Sequence, residues 1–325
     1  MRGGRSGRLI SSNFKAAWWL RSPHLQTLWP SLLRPAQALE VAWERLELED
    51  GDFIDLAWRR REGPLVLLIH GLEGSLKSHY AVPLLKALER EDFSTVFMHL
   101  RGCGREPNRQ ARSYHSGASE DLAEVLERLQ QRGERPDALI GISLGGNLLL
   151  KYLGETGRAA LTRTAIAISV PFHLASAVAR MQRGFSRLYG RHLLNKLVRS
   201  YRRKFTDRPA PLQMPIKRID SLYQFDQCIT APLNGFASAD DYYRRCSCIG
   251  FLKGIEIPTL ILHAADDPLM RPDVIPDIGD LGPGVTLELC AQGGHVGFIE
   301  GRLPGRPRYW LEQRIPAYLH QQLSV

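Results

Sequence analysis

Three residues, far apart in a chain of 325, are of the types that acyl transfer needs: a serine, a carboxylate and a histidine. Ser143 stands in Gly141-Ile142-Ser143-Leu144-Gly145, after the apolar run Ala138–Ile140 and ahead of the helical stretch Gly146–Leu153. A serine placed between strand and helix in a G-x-S-x-G frame is a nucleophile elbow. Its two glycines remove side chains that would collide where strand and helix approach. The free N–H groups at the helix start favour an oxyanion. A hydroxyl is a weak nucleophile until a base takes its proton, and the base needs a carboxylate to orient it. Both follow in the order serine, acid, histidine. His263-Ala264-Ala265-Asp266-Asp267-Pro268 leaves one late strand, and Gln292-Gly293-Gly294-His295-Val296-Gly297 leaves the next. Asp266 and Asp267 both qualify as the acid. Asp267 is favoured because it directly precedes Pro268, which leaves Asp266 to cap the turn or bond its backbone. His295, set among glycines, is the candidate base.

An oxyanion also needs donors aimed at it. The Leu144 N–H, next to the serine, is one candidate. The second is the Leu72 N–H in His70-Gly71-Leu72-Glu73-Gly74, where glycines let the main chain turn inward. His70 precedes the serine and ends a strand, so it reads as a structural histidine holding the loop rather than the base. No cofactor is expected. Gly102-x-Gly104 lacks the rest of a dinucleotide fingerprint. No H-E-x-x-H or spaced Cys/His set suggests a metal, and Cys246-Ser247-Cys248 is too sparse to ligate one.

These residues must be brought to one edge of a sheet. Residues 42–49 and 53–59 alternate apolar and polar around Asp50-Gly51, a hairpin signal. Near-continuous apolar runs follow at Leu65–Ile69, Thr95–Met98, Ala138–Ile142, Thr164–Ser169, Thr259–Leu262 and Val285–Leu289, as strands buried on both faces require. Helical patterns at 78–90, 118–131 and 144–153 separate them. The expected fold is therefore α/β: a mostly parallel eight-stranded sheet with helices on both faces. Its core spans 42–170 and 258–325. Residues 171–257 hold no comparable strand and read as a helical cap inserted over the C-terminal edge, punctuated by Pro209, Pro211, Pro215 and Pro232. Residues 1–41 read as an N-terminal arm packed on the body.

Composition narrows the class. With 44% hydrophobic and 24% charged residues the chain is neither disordered nor collagen-like. No apolar run approaches the ~20 residues of a spanning helix, and the basic N-terminal stretch has no signal-peptide core. Five cysteines without a C-x-x-C fit a reducing compartment, so a cytoplasmic protein is expected. The formal charge of +9 is concentrated: residues 180–208 hold ten basic residues against Asp207, and the remaining 33 basic and 33 acidic residues cancel. Three readings fit this block: a solvated helical face, attraction to anionic lipid at the inner membrane face, and nucleic-acid binding. The last is disfavoured for want of a reading motif. Phe185, Leu188, Tyr189, Leu193, Leu194 and Leu197 recur there at helical spacing, as a helix with one face on the body would need.

The motifs HGLEGSLKSHY (70–80), MHLRGCGREPNR (98–109), YHSGASEDL (114–122), GISLGGNLLLKYL (141–153), HAADDPLM (263–270) and GGHVGFIEG (293–301) resemble the YheT-like branch of the α/β-hydrolases. SPHLQTLWP (22–30), RGFSRLYGRHLLNKL (183–197) and FDQCITAPLNGFASADDYYRRCS (225–247) extend the resemblance nearly end to end. It implies a carboxylic-ester hydrolase of the lipid-metabolism type, with Ser143, Asp267 and His295 at the triad positions. Relatives act on acylglycerols and other short- or medium-chain esters. The same trio would serve a thioesterase or an acyltransferase, and a binding protein that kept the fold without turnover is the rival from another class. Haloalkane dehalogenase and epoxide hydrolase chemistries are excluded, because both need a carboxylate where Ser143 stands.

Overall fold

The computed structural model describes residues 7–212 and 216–324. The first six residues of the expected arm, and Pro215, lie outside the described residues. Strands and helices alternate along the chain. The N-terminal segment contributes β1 (Arg8–Ser11) and α1 (Pro23–Leu33), and β2 (Ala42–Glu47) and β3 (Phe53–Arg59) form the hairpin. There follow β4 (Leu65–Ile69), α2 (Ala81–Arg90), β5 (Ser94–Met98), α3 (Ser119–Gln131), β6 (Ala138–Ile142), α4 (Leu144–Thr156) and β7 (Thr164–Ile168). An inserted helical region then carries α5 (Leu174–Arg180), α6 (Ser186–Lys204), α7 (Leu222–Phe225), α8 (Ala231–Leu233) and α9 (Ala239–Cys246). The chain returns through β8 (Thr259–Ala264) and β9 (Val285–Cys290) to α10 (Leu311–Leu323).

The main sheet has nine strands in the order β1-β9-β8-β7-β6-β4-β5-β3-β2. Pairing is parallel except where β3 meets its two neighbours. Eight of these strands are the two alternating segments and the six apolar runs read from the sequence. The ninth, β1, has all four side chains exposed, so no hydrophobic pattern announces it. It forms because the edge of β9 offers unpaired backbone groups, which Arg8–Ser11 takes up in parallel register.

Alternation along a strand sorts the core into two layers. On β4, Leu67 and Ile69 face the layer of α3 and α4, packing with Leu126, Leu129 and Leu148. Val66 and Leu68 face the opposite layer, with Leu84 and Leu88 of α2 and Ile315 and Leu319 of α10. All four are fully buried, so truncating one to alanine would cost about 2–5 kcal/mol. The inserted helices have a core of their own, built from Leu174, Leu194, Leu222, Phe225, Tyr242 and Tyr243. Buried Asn147 on α4 ties that region down. Its Nδ2 donates to the carbonyls of Ser116 and Cys246, both at 2.8 Å, and its Oδ1 accepts from the Cys248 N–H at 2.9 Å.

Candidate active site

Ser143 sits between the end of β6 and the start of α4 with φ 55° and ψ −118°. A non-glycine residue held there stores about 1–3 kcal/mol of strain. The strain persists because the Ser143 N–H donates to the Ile168 carbonyl at 2.8 Å and its own carbonyl accepts from Asn147 N–H at 3.1 Å. Both flanking glycines are required by contact. A Cβ on Gly141 would lie 2.5 Å from the Gly145 carbonyl oxygen, and one on Gly145 would lie 2.5 Å from that of His70.

The structure brings His295 and Asp267 to this serine. His295 Nε2 lies 3.0 Å from Ser143 Oγ, and His295 Nδ1 lies 2.7 Å from Asp267 Oδ2. An ionised carboxylate only accepts, so Nδ1 carries the proton and Nε2 is left to accept from the serine hydroxyl. The other Asp267 oxygen accepts from the Leu269 N–H at 2.9 Å. Burial pushes the Asp267 carboxyl up, but the charge and hydrogen bond of His295 outweigh it and hold the group below its ordinary value. Asp266 differs. It does not touch the imidazole: its Oδ1 accepts from the Gly294 N–H at 3.0 Å, and burial raises its carboxyl above the ordinary value.

The histidine loop turns sharply, with φ of 61° at Gly294 and 56° at Val296. Three other elements pin it. Besides Asp266, the Thr27 hydroxyl on α1 accepts from the His295 N–H at 2.9 Å, and the Ser169 hydroxyl accepts from the Val296 N–H at 3.0 Å. Buried Gln26 joins α1 to the segment after the loop, donating to the Leu20 and Ile299 carbonyls and accepting from the Ile299 N–H at 2.7 Å. Thr27, Ser169 and Gln26 were not singled out in the sequence. The pointer to the first and last is SPHLQTLWP, which is among the motifs that carry the family resemblance.

Across the site, the loop 70–74 abuts the serine, a Cβ on Gly71 falling 3.1 Å from Ser143 Cβ. His70 is fully buried. Its Nδ1–H donates to the Gly71 carbonyl at 2.6 Å, its Nε2 accepts from the Leu100 N–H at 3.0 Å, and burial lowers its pKa to about 3. It is a neutral structural histidine with both nitrogens occupied. Among the described residues, the Leu72 and Leu144 N–H groups have no hydrogen-bond partner within the chain. Leu72 and Leu144 line an open cavity with about 60 Å³ of water-accessible space. The inserted helices supply much of its wall through Leu197, Tyr201, Phe225, Ile229 and Leu233. Phe225 and Ile229 flank and enter a π-helical turn, Asp226–Thr230, a form that recurs at functional sites. All five cysteines are unpaired thiols, and Cys103 packs against the core instead of lining this cavity. Among the described residues, no three His, Cys, Asp or Glu side chains gather as a metal would need.

The chain is similar to known proteins over most of its length. YheT of Escherichia coli (strain K12), provisionally assigned as an esterase, is 45% identical over 311 residues, covering 93% of this chain and 91% of its own. The phospholipase ABHD3 of Mus musculus is 28% identical, covering 93% of this chain and 77% of that one. Among solved structures, the Pyrococcus furiosus esterase Pf2001 superposes with a TM-score of 0.59 at 15% identity, covering 99% of each chain, which is a likeness of fold. The alpha/beta hydrolase fold family profile matches residues 64–302, a span that takes in the elbow, both partner loops and the inserted helices. The chain therefore belongs to the α/β-hydrolase fold family and stands close to YheT within it.

Proposed function

We propose that this chain is a serine hydrolase of carboxylic esters, with Ser143 as nucleophile, His295 as base and Asp267 as orienting acid. One observation carries the reading: a histidine accepting from the elbow serine at 3.0 Å while its other nitrogen donates to a buried carboxylate at 2.7 Å. Ser143 Oγ attacks the ester carbonyl as its proton passes to His295 Nε2, and Asp267 stabilises the imidazolium. The oxyanion forms against the unpartnered N–H groups of Leu72 and Leu144, donors worth about 10²–10³ each in rate. His295 then protonates the leaving alkoxide. A water, deprotonated by the same nitrogen, releases the acid and restores the serine.

The apolar wall from α6 to α8 suits an acyl chain, in keeping with the phospholipase among the relatives. An anionic lipid surface is the partner that the outer face of α6 would meet. None of the ten basic residues of 180–208 has a carboxylate within salt-bridge distance among the described residues. At the same end, Phe185 and Leu188 are exposed, and Leu25 is exposed on α1, whose His24 ring lies 4.4 Å from that of Phe185. Unpaired cations beside exposed apolar side chains are what interfacial helices present to headgroups. Among the described residues no helix is long and apolar enough to cross a membrane, so contact would be peripheral.

The decisive experiment is turnover of a p-nitrophenyl ester together with labelling by a fluorophosphonate. Ser143→Ala should abolish both, and full labelling of that variant would refute the assignment.

A further inference from the structure

The loop that faces Ser143 spends its backbone donors unevenly. The Gly71 N–H donates to the Tyr80 hydroxyl at 3.0 Å, the Glu73 N–H to the Tyr114 hydroxyl at 2.7 Å, and the Gly74 N–H to the Gly71 carbonyl at 3.0 Å. Between Gly71 and Glu73, Leu72 keeps a free N–H among the described residues. The conformation that achieves this turns on Glu73, a non-glycine residue at φ 51°, in the left-handed region. Its side chain holds it there from two directions. The Tyr114 hydroxyl, which accepts from the Glu73 N–H, also donates to Glu73 Oε1 at 3.0 Å. The Ser200 hydroxyl, on the inner face of α6, donates to Glu73 Oε2. Tyr114 is buried, and that burial, with the Glu73 carboxylate beside it, keeps its phenol protonated as a donor.

Resting on the serine-hydrolase reading above, we infer that Glu73 is a positioning residue. Its carboxylate, clamped between Tyr114 of the core and Ser200 of the inserted helix α6, holds the loop so that the Leu72 N–H points free at the oxyanion. The clamp joins the seat of α6 to the competence of the hole. Because the other face of α6 carries the unpaired arginines, whatever that face meets is mechanically connected to the oxyanion loop through one side chain.

The test uses the full chain and a water-soluble p-nitrophenyl ester. Glu73→Gln keeps one acceptor oxygen and turns the other into a donor, so the Ser200 hydroxyl has to turn round to accept and both contacts lose the charge of the carboxylate. We expect kcat to fall about tenfold to a hundredfold, short of outright loss of a donor, with KM within about twofold. Fluorophosphonate should still label one serine per chain, only more slowly. Ser200→Ala should lower kcat about 2–10-fold, Ser200→Thr should restore it, and Ser200→Ala should add nothing on the Glu73→Gln background. A purely structural role would lower the melting temperature without this split or this rescue. The inference is overturned if Glu73→Gln keeps kcat within about twofold, or if the loss lies in KM alone. Should Glu73→Gln fail to fold, the Ser200→Ala and Ser200→Thr pair decides by the same criterion. Failure of the serine assignment itself would look different, because Ser143→Ala would then still turn over ester and the parent chain would not be labelled.

Discussion

The rim of the sheet and the outer face of α6 handle charge in opposite ways. At the rim, polar groups are pinned. Arg101, 1% exposed, is held by Asp50, Asp52 and Asp121, and every polar atom of His70, Asp267 and His295 named above has a partner. On α6, Arg187, Arg191, Arg199, Arg202 and Arg203 are exposed, and no carboxylate answers any of them among the described residues. Pinned groups lose rotamer freedom and gain fixed geometry, which chemistry at one carbonyl carbon demands. Unpinned cations stay solvated and adaptable, which suits contact with a surface that has no fixed geometry. The two regions meet at Ser200, on the inward side of the same helix.

The contrast can be broken at several strengths. The largest effect is expected at the rim: Asp267→Asn should lower kcat about 10⁴-fold by freeing the wrong imidazole tautomer. Asp266→Asn, which loses only a bond to the histidine loop, should cost about 2–10-fold. Comparable losses in steady-state kinetics would overturn the choice between the two acids. Next comes the outer face. Replacing Arg183, Arg187, Arg191 and Arg199 together by serine should weaken sedimentation with phosphatidylglycerol vesicles about 10²–10³-fold, at ~1 kcal/mol per charge. Turnover of a soluble ester should stay unchanged, and equal binding of parent and variant would leave α6 a merely solvated face. The smallest effect is expected at the support of the rim. Thr27→Val removes one acceptor for the His295 N–H and should cost about 2–10-fold in kcat with little change in KM. An unchanged rate would mean that Ser169 and Asp266 hold the loop without it.

How much of this was legible depends on how local the cause is. The elbow was readable because its residues are five in a row with glycine at both ends, even though the contact that demands Gly145 is with the distant His70 carbonyl. The acid was readable only as a preference. Asp266 and Asp267 are neighbours in the chain, and which one meets the imidazole depends on where a loop 28 residues away comes to rest. Thr27 was invisible as a support of His295, since 268 positions separate them and a threonine in a helix has many ordinary reasons to be there. Glu73 carried no reading of its own within His70-Gly71-Leu72-Glu73-Gly74. Its part appears only when Tyr114 and Ser200 arrive, 41 and 127 positions further along. The strand β1 left no trace in hydrophobicity, because its pairing, and not its side chains, makes it a strand.

By itself, then, the sequence determined whatever short-range sterics and burial dictate. These were the runs that must be strands, the turn that must carry Ser143, the order of serine, acid and histidine, and the concentration of charge between residues 180 and 208. Tertiary structure alone decided which aspartate faces the imidazole, which N–H groups are left unpaired beside the serine, and which side chains hold them so. The reason is physical: a hydrogen bond across the fold depends on distances of a few tenths of an ångström between groups remote in sequence, and only the packed sheet and its inserted helices set those distances.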